Sequence, residues 1–153
     1  MAGSGSAYER LKQQAGDITN MRWLPIQPEK RLNAFLNLAD IHLLPQREDA
    51  ADLVMPSKPT GMLASGRPVI ATARPGIQVA RVVEEAGLVV EPGCLPCIVS
   101  AIRRLGDDEP GRRRLGTAAR KYAVDVLERE RLLRGFENQL HDAPIPEPAR
   151  RLG

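Results

Sequence analysis

The stretch Leu53 to Gly76, LVMPSKPTGMLASGRPVIATARPG, decides the fold class. Ser57, Lys58 and Thr60 interrupt its apolar pattern, Gly66-Arg67-Pro68 turns the chain, and Val69-Ile70-Ala71-Thr72 resumes with β-branched residues. A short apolar run after a turn signal reads as a buried strand. The segment before it, Ser57 to Ser65, reads as a short helix with Gly66 at its C-terminal end. Two readings are open for the polar break. Ser57 caps a helix and Lys58 is solvated, or the loop holds an anion at a helix start, where unpaired N–H groups and the helix dipole favour negative charge.

Strands and helices alternate outward from this stretch. Downstream, Ile77 to Glu85 is a predicted helix ended by Gly87, and Leu88 to Val90 a strand. Leu95 to Leu105, Pro110 to Tyr122 and Val126 to Leu140 follow as helices. Upstream, Ile41 to Leu44 is a strand stopped by Pro45. A helix starts at Pro28 and carries Leu32, Phe35, Leu36 and Ala39 at helical spacing. Met21 to Leu24 reads as a short strand, and Ser6-Ala7-Tyr8-Glu9 as a capping box opening a helix to Gln14. Short apolar strands between helices predict an α/β fold, a Rossmann-like parallel sheet flanked by helices and followed by C-terminal helices. Such sheets bind ligands at the carboxyl ends of their strands, here the loops after Leu44, Thr72 and Val90.

Composition bounds the rest. The 153 residues suit one domain with one core, and the aromatic fraction of 3% leaves that core to Leu, Val, Ile and Ala. No apolar run reaches the length of a membrane span, and the N-terminus has no signal-like pattern, so a cytoplasmic location is expected. The net charge of +3 is concentrated in the last third, in Arg103-Arg104, Arg112-Arg113-Arg114, Arg120-Lys121, Arg129, Arg131 and Arg134. Interleaved acids make a solvated helix surface the first reading of this run, with contact to an anionic membrane as the alternative and no nucleic-acid partner expected. Cys94-Leu-Pro-Cys97 is a C-x-x-C pair, a pattern shared by redox motifs and half zinc sites. With no second cysteine pair, and with His42 and His141 distant in sequence, the pair is read as two reduced cysteines that bind no metal and do not cycle.

The run LADIHLLPQREDAADLVMPSKPTGMLASGRPVIATARPG, followed by VVEEAGLVVEPG, resembles the C-terminal domain of GT-B glycosyltransferases of family 4. It is most similar to the colanic-acid and exopolysaccharide group, over residues 3 to 140. The resemblance implies retaining transfer of a sugar from a UDP- or GDP-sugar to a saccharide or lipid-linked acceptor, at the cytoplasmic side of the inner membrane. The nucleotide sugar is a substrate, and no cofactor or metal is implied. The resemblance assigns Ser57, Lys58 and Thr60 to the donor diphosphate. Many members carry two glutamates eight residues apart, but the matching positions here are Leu53 and Gly61. Glu48 or Asp49, with Gly61, are therefore the candidates for donor sugar and ribose contacts, and the catalytic residues stay unknown. Gly3-Ser4-Gly5-Ser6 resembles the turn after the second strand of that domain. Residues 1–140 are thus expected to form a partial donor domain, with 141–153 a disordered Pro-rich tail. The acceptor domain, the first two strands and a diphosphate-binding Arg/Lys pair would come from a missing N-terminal half. The alternative is a non-catalytic nucleotide- or phosphate-binding module acting through a partner.

Overall fold

The computed structural model describes residues 1–46 and 58–126, with Lys58 described by its backbone alone. In chain order the elements are α1 (Tyr8–Ala15), α2 (Glu29–Asn37), β1 (His42–Leu44), α3 (Lys58–Ala64), β2 (Val69–Thr72), α4 (Gln78–Glu84), β3 (Gly87–Val90), α5 (Leu95–Asp107) and α6 (Glu109–Val126). The strands form a parallel sheet in the order β1-β2-β3, with His42 beside Val69 and Val69 beside Gly87. This is the predicted Rossmann-like arrangement, with helices on both faces.

The period of the strands sorts the core. Val69 and Ala71 of β2 point to one face, where they meet Leu44, Leu63, Val79, Val83, Ala119 and Ala123. Ile70 points to the other and packs with Ala101 and Leu105 of α5, flanked by Leu88 and Val90. Every residue of β2 is buried, as expected for a central strand covered on both sides. Each fully buried aliphatic side chain contributes about 1.5–3 kcal/mol, so this layer carries most of the cohesion.

Two glycines let backbones approach closely. A Cβ on Gly87 would overlap the Val69 carbonyl oxygen. Gly87 is therefore the first residue of β3, not the stop of the preceding helix that the sequence suggested; α4 ends at Glu84. A Cβ on Gly116 would overlap the Gly66 carbonyl oxygen, and Gly66 itself has φ +69°. That pair seats α6 against the turn that feeds β2.

Several local expectations change. The capping box does not form. The Gly5 carbonyl accepts the Tyr8 N–H at 2.9 Å, which places Ala7 at the cap with helical backbone angles and no side-chain cap bond. Met21 to Leu24 is not a strand but a single parallel bridge, Ala2 to Leu24. Tyr8 and Trp23 meet edge to face across that unit, with ring centroids 5.5 Å apart. The helix expected over 110–122 runs on to Val126. The helix expected over 126–140 and the tail 141–153 lie, apart from Val126, outside the described residues.

The cysteine reading is corrected as well. Cys94 and Cys97 form a disulfide rather than two free thiols. The first turn of a helix brings residues i and i+3 together, and their Cα atoms, 5.3 Å apart, lie within ordinary bridging range.

Candidate functional site at the carboxyl edge of the sheet

Parallel strands place all their carboxyl ends on one edge. Pro45 and Gln46 follow β1 there, Ala73 to Ile77 follow β2, and Glu91 to Cys94 follow β3. Neighbouring loops are tied together. Ala73 N–H donates to the Val90 carbonyl at 3.0 Å. Thr72, the last residue of β2, is buried and holds Gln46 from both sides. Its hydroxyl accepts from Gln46 N–H at 2.7 Å and donates to the Gln46 carbonyl at 2.9 Å. This latch fixes the residue from which the 47–57 segment departs.

The orientation of α3 follows from its far end. Ser65 Oγ, just past α3, is 2.9 Å from His42 Nε2 at the start of β1, and donates to the Met62 carbonyl. The C-terminal end of α3 therefore lies at the amino edge of the sheet. Its seven residues span about 10 Å, which carries its first residue, Lys58, back toward the carboxyl edge.

The predicted site residues fall out as follows. Lys58 is the first residue of α3. Thr60 is half-buried in its first turn. Gly61 is also in α3, and its open side faces α2, where a Cβ would lie 3.2 Å from Leu36 Cδ1. Pro59 is fully buried. Ser57, Glu48 and Asp49 lie outside the described residues.

Two residues of this edge escaped the sequence reading. Thr72 looked like the end of a buried strand, and only the register with β1 reveals the latch. Gln46 carries a buried side-chain oxygen, Oε1, without a hydrogen-bond partner among the described residues. A buried acceptor left unpaired is costly, which makes it a natural place for a donor from a bound ligand. Among the described residues no group of three or more metal-ligating side chains comes together.

A cavity of about 790 Å³ lies elsewhere. It opens at the amino edge between Asp40, Arg67, Arg112, Arg120 and Lys121. Its cations are already engaged. Arg112 donates to the carbonyls of Leu105 and Gly106, and Arg120 to the Ala64 carbonyl at 2.7 Å. Lys121 pairs with Asp125 at 3.0 Å and Arg113 with Glu109 at 2.6 Å. His42, buried nearby, has its pKa lowered, first by desolvation and then by the Arg67 charge. The Arg112 and Arg120 contacts close the ends of α5 and α3, and the other two pairs lie along α6, so the topology of the sheet is the better guide to a candidate ligand edge than this cavity.

Comparison with known proteins agrees with this fold. Residues 1–108 match the family model described as glycosyl transferases group 1. The chain belongs to the group 1 glycosyl transferases. Within that family it is 34% identical, over 142 residues, to the protein named as the colanic acid biosynthesis glycosyl transferase WcaI of Escherichia coli K12. That match covers 90% of this chain and 34% of WcaI. It is 31% identical over 120 residues to the D-inositol 3-phosphate glycosyltransferase of Corynebacterium aurimucosum, covering 78% of this chain and 28% of the relative. The chain thus spans about a third of the length of the curated relatives it matches. Its fold is that of Anabaena HepE, solved in complex with UDP-glucose (TM-score 0.77, 16% identity, 93% of this chain and 40% of that one). Sucrose-phosphate synthase of Thermosynechococcus elongatus shares it too (TM-score 0.71, 23% identity, 90% and 34%). Among the described residues no helix is long and apolar enough to cross a membrane.

Proposed function

We propose that this chain is the donor-binding half of a retaining glycosyltransferase, which takes a sugar from a UDP- or GDP-sugar and passes it to an exopolysaccharide or lipid-linked acceptor. The observation that carries the reading is the family match over most of the chain, with a parallel sheet that gathers its loops at one carboxyl edge. In this reading the nucleotide sugar is a substrate and the site uses no cofactor or metal. Ser57, Lys58 and Thr60 hold the diphosphate by charge and hydroxyl contacts. Glu48 or Asp49 meets the ribose or the donor sugar, and Gln46 Oε1 accepts a hydrogen bond from the nucleotide. Residues 1–140 form the donor domain and 141–153 a tail. The site works on the cytoplasmic side, against a membrane that carries the acceptor.

Transfer needs donor and acceptor held together in one closed cleft, since orientation supplies much of the rate. It also needs charge stabilisation on the departing nucleoside diphosphate. The chain alone supplies the donor side only, so it binds nucleotide without turning it over, and activity returns when an acceptor domain of a related enzyme is joined to it. Calorimetry with UDP and GDP tests the donor site. Lys58→Ala is expected to weaken binding at least about tenfold, the loss of one charge-assisted contact worth about 1.5–3 kcal/mol. Unchanged affinity in that variant would remove Lys58 from the site. Sugar transfer by the 153-residue chain alone would overturn the need for a second domain.

A further inference from the structure

We propose that the Cys94–Cys97 bridge is a thiol–disulfide exchange site whose co-reactant is a small or protein dithiol, with Cys97 the sulfur attacked and Cys94 the sulfur that leaves. Three features assign these roles. Cys94 is the N-cap of the 13-residue helix α5, and its Sγ accepts the Cys97 N–H at 3.3 Å. A helix start and an N–H donor both stabilise a thiolate, which makes Cys94 the better leaving group. Cys97, by contrast, lines a surface groove of about 470 Å³ with Leu88, Val90, Pro96, Ser100 and Arg104. The groove borders Cys97 and not Cys94, and Arg104 on its lining favours the approach of an incoming thiolate. Pro96, between the two cysteines at the second helical position, has no N–H to lose there and stiffens the turn that holds the sulfurs together.

The step balances without any further reagent. A thiolate of the dithiol attacks Cys97 Sγ and forms a mixed disulfide, while the Cys94–Cys97 bond breaks and its electron pair leaves on Cys94 Sγ. The second thiol of the reductant loses its proton to water and displaces Cys97, which leaves as a thiolate and is protonated by solvent. The protein disulfide gains two electrons, and the dithiol is oxidised to its own disulfide. The site sits on the loop after β3, at the same sheet edge as Thr72 and Gln46, and it does not depend on the glycosyltransferase reading.

The test uses the wild-type chain, native throughout. Without reductant, alkylation should label no thiols. After dithiothreitol, still without denaturant, two thiols should react and the unlabelled mass rise by about 2 Da. With glutathione as a monothiol trap, fragment masses should place the adduct on Cys97. In single variants, Cys94 of Cys97→Ser should alkylate at pH 7 at least about tenfold faster than Cys97 of Cys94→Ser, because the start of α5 and the residue-97 N–H both face the Cys94 sulfur. The proposal fails if the purified chain carries two free thiols, if the bridge opens only once the chain is unfolded, or if the adduct sits on Cys94. The wild-type trapping result stands even where a variant does not fold.

Discussion

The two edges of the parallel sheet are built from different material. At the amino edge, close packing and side-chain contacts seal the fold. Gly116 of α6 abuts Gly66, His42 meets Ser65, and Arg112 and Arg120 close the ends of α5 and α3 with carbonyl contacts. At the carboxyl edge the strands open into loops. Thr72 fixes Gln46, Gln46 keeps an acceptor unpaired among the described residues, and the disulfide closes the turn into α5. The 790 Å³ cavity is at the closed edge, and the ligand chemistry is proposed for the open one. Two arginines of that cavity already serve helix termini, whereas the carboxyl edge holds Gln46 Oε1, unpaired among the described residues.

The sharpest way to break this contrast is Gly116→Ala. Its methyl group would overlap the Gly66 carbonyl, so α6 must shift off the turn, and we expect a loss of about 3 kcal/mol in urea denaturation. A change below half a kcal/mol would show that the amino edge is not close-packed there. Next comes Thr72→Val, which keeps shape but leaves the Gln46 N–H and carbonyl without their partner. The expected cost is about 2 kcal/mol, and nucleotide affinity should fall with it. If affinity survives that loss of stability, the latch does not organise the donor edge.

Acidification sharpens the contrast from the amino side. The folded state lowers the His42 pKa, so the unfolded chain binds a proton more readily. Stability should therefore fall as pH drops below the unfolded value of about 6.5, down through the lowered folded value. A His42→Gln variant should show a flatter profile between pH 7 and 5, and an identical slope in both proteins would rule His42 out as the source. The smallest effect is expected for Arg120→Met, which removes an exposed side chain's contact with the Ala64 carbonyl. We expect about 1 kcal/mol or less in thermal denaturation, with no change in nucleotide binding. A clear loss of binding would make the amino-edge cavity part of the functional site.

Local signals were readable where one kind of contact dominates. The four residues of β2 are apolar or β-branched because both faces are covered, and Val69 to Thr72 was legible to the residue. The end of α3 was marked by Gly66. Gly87 misled because a glycine after a helical pattern usually ends it, whereas here it admits the Val69 carbonyl. The capping box misled because a backbone turn from Gly5 started α1 first.

The sequence by itself determined the alternation of short apolar strands with helices, the family, and the kind of residue that lines the break at 57–60. These depend on composition and spacing along the chain. Tertiary structure decided which groups meet across it. The Thr72–Gln46 latch spans 26 positions, the contact of Arg120 with Ala64 spans 56, and the meeting of Gly66 with Gly116 depends on how α6 crosses the turn before β2. It also decided that the two cysteines are bonded, because pairing requires the first turn of α5 to hold their Cα atoms 5.3 Å apart. Such contacts leave no periodic trace, since each depends on the register and crossing of elements that fold independently of the residues between them.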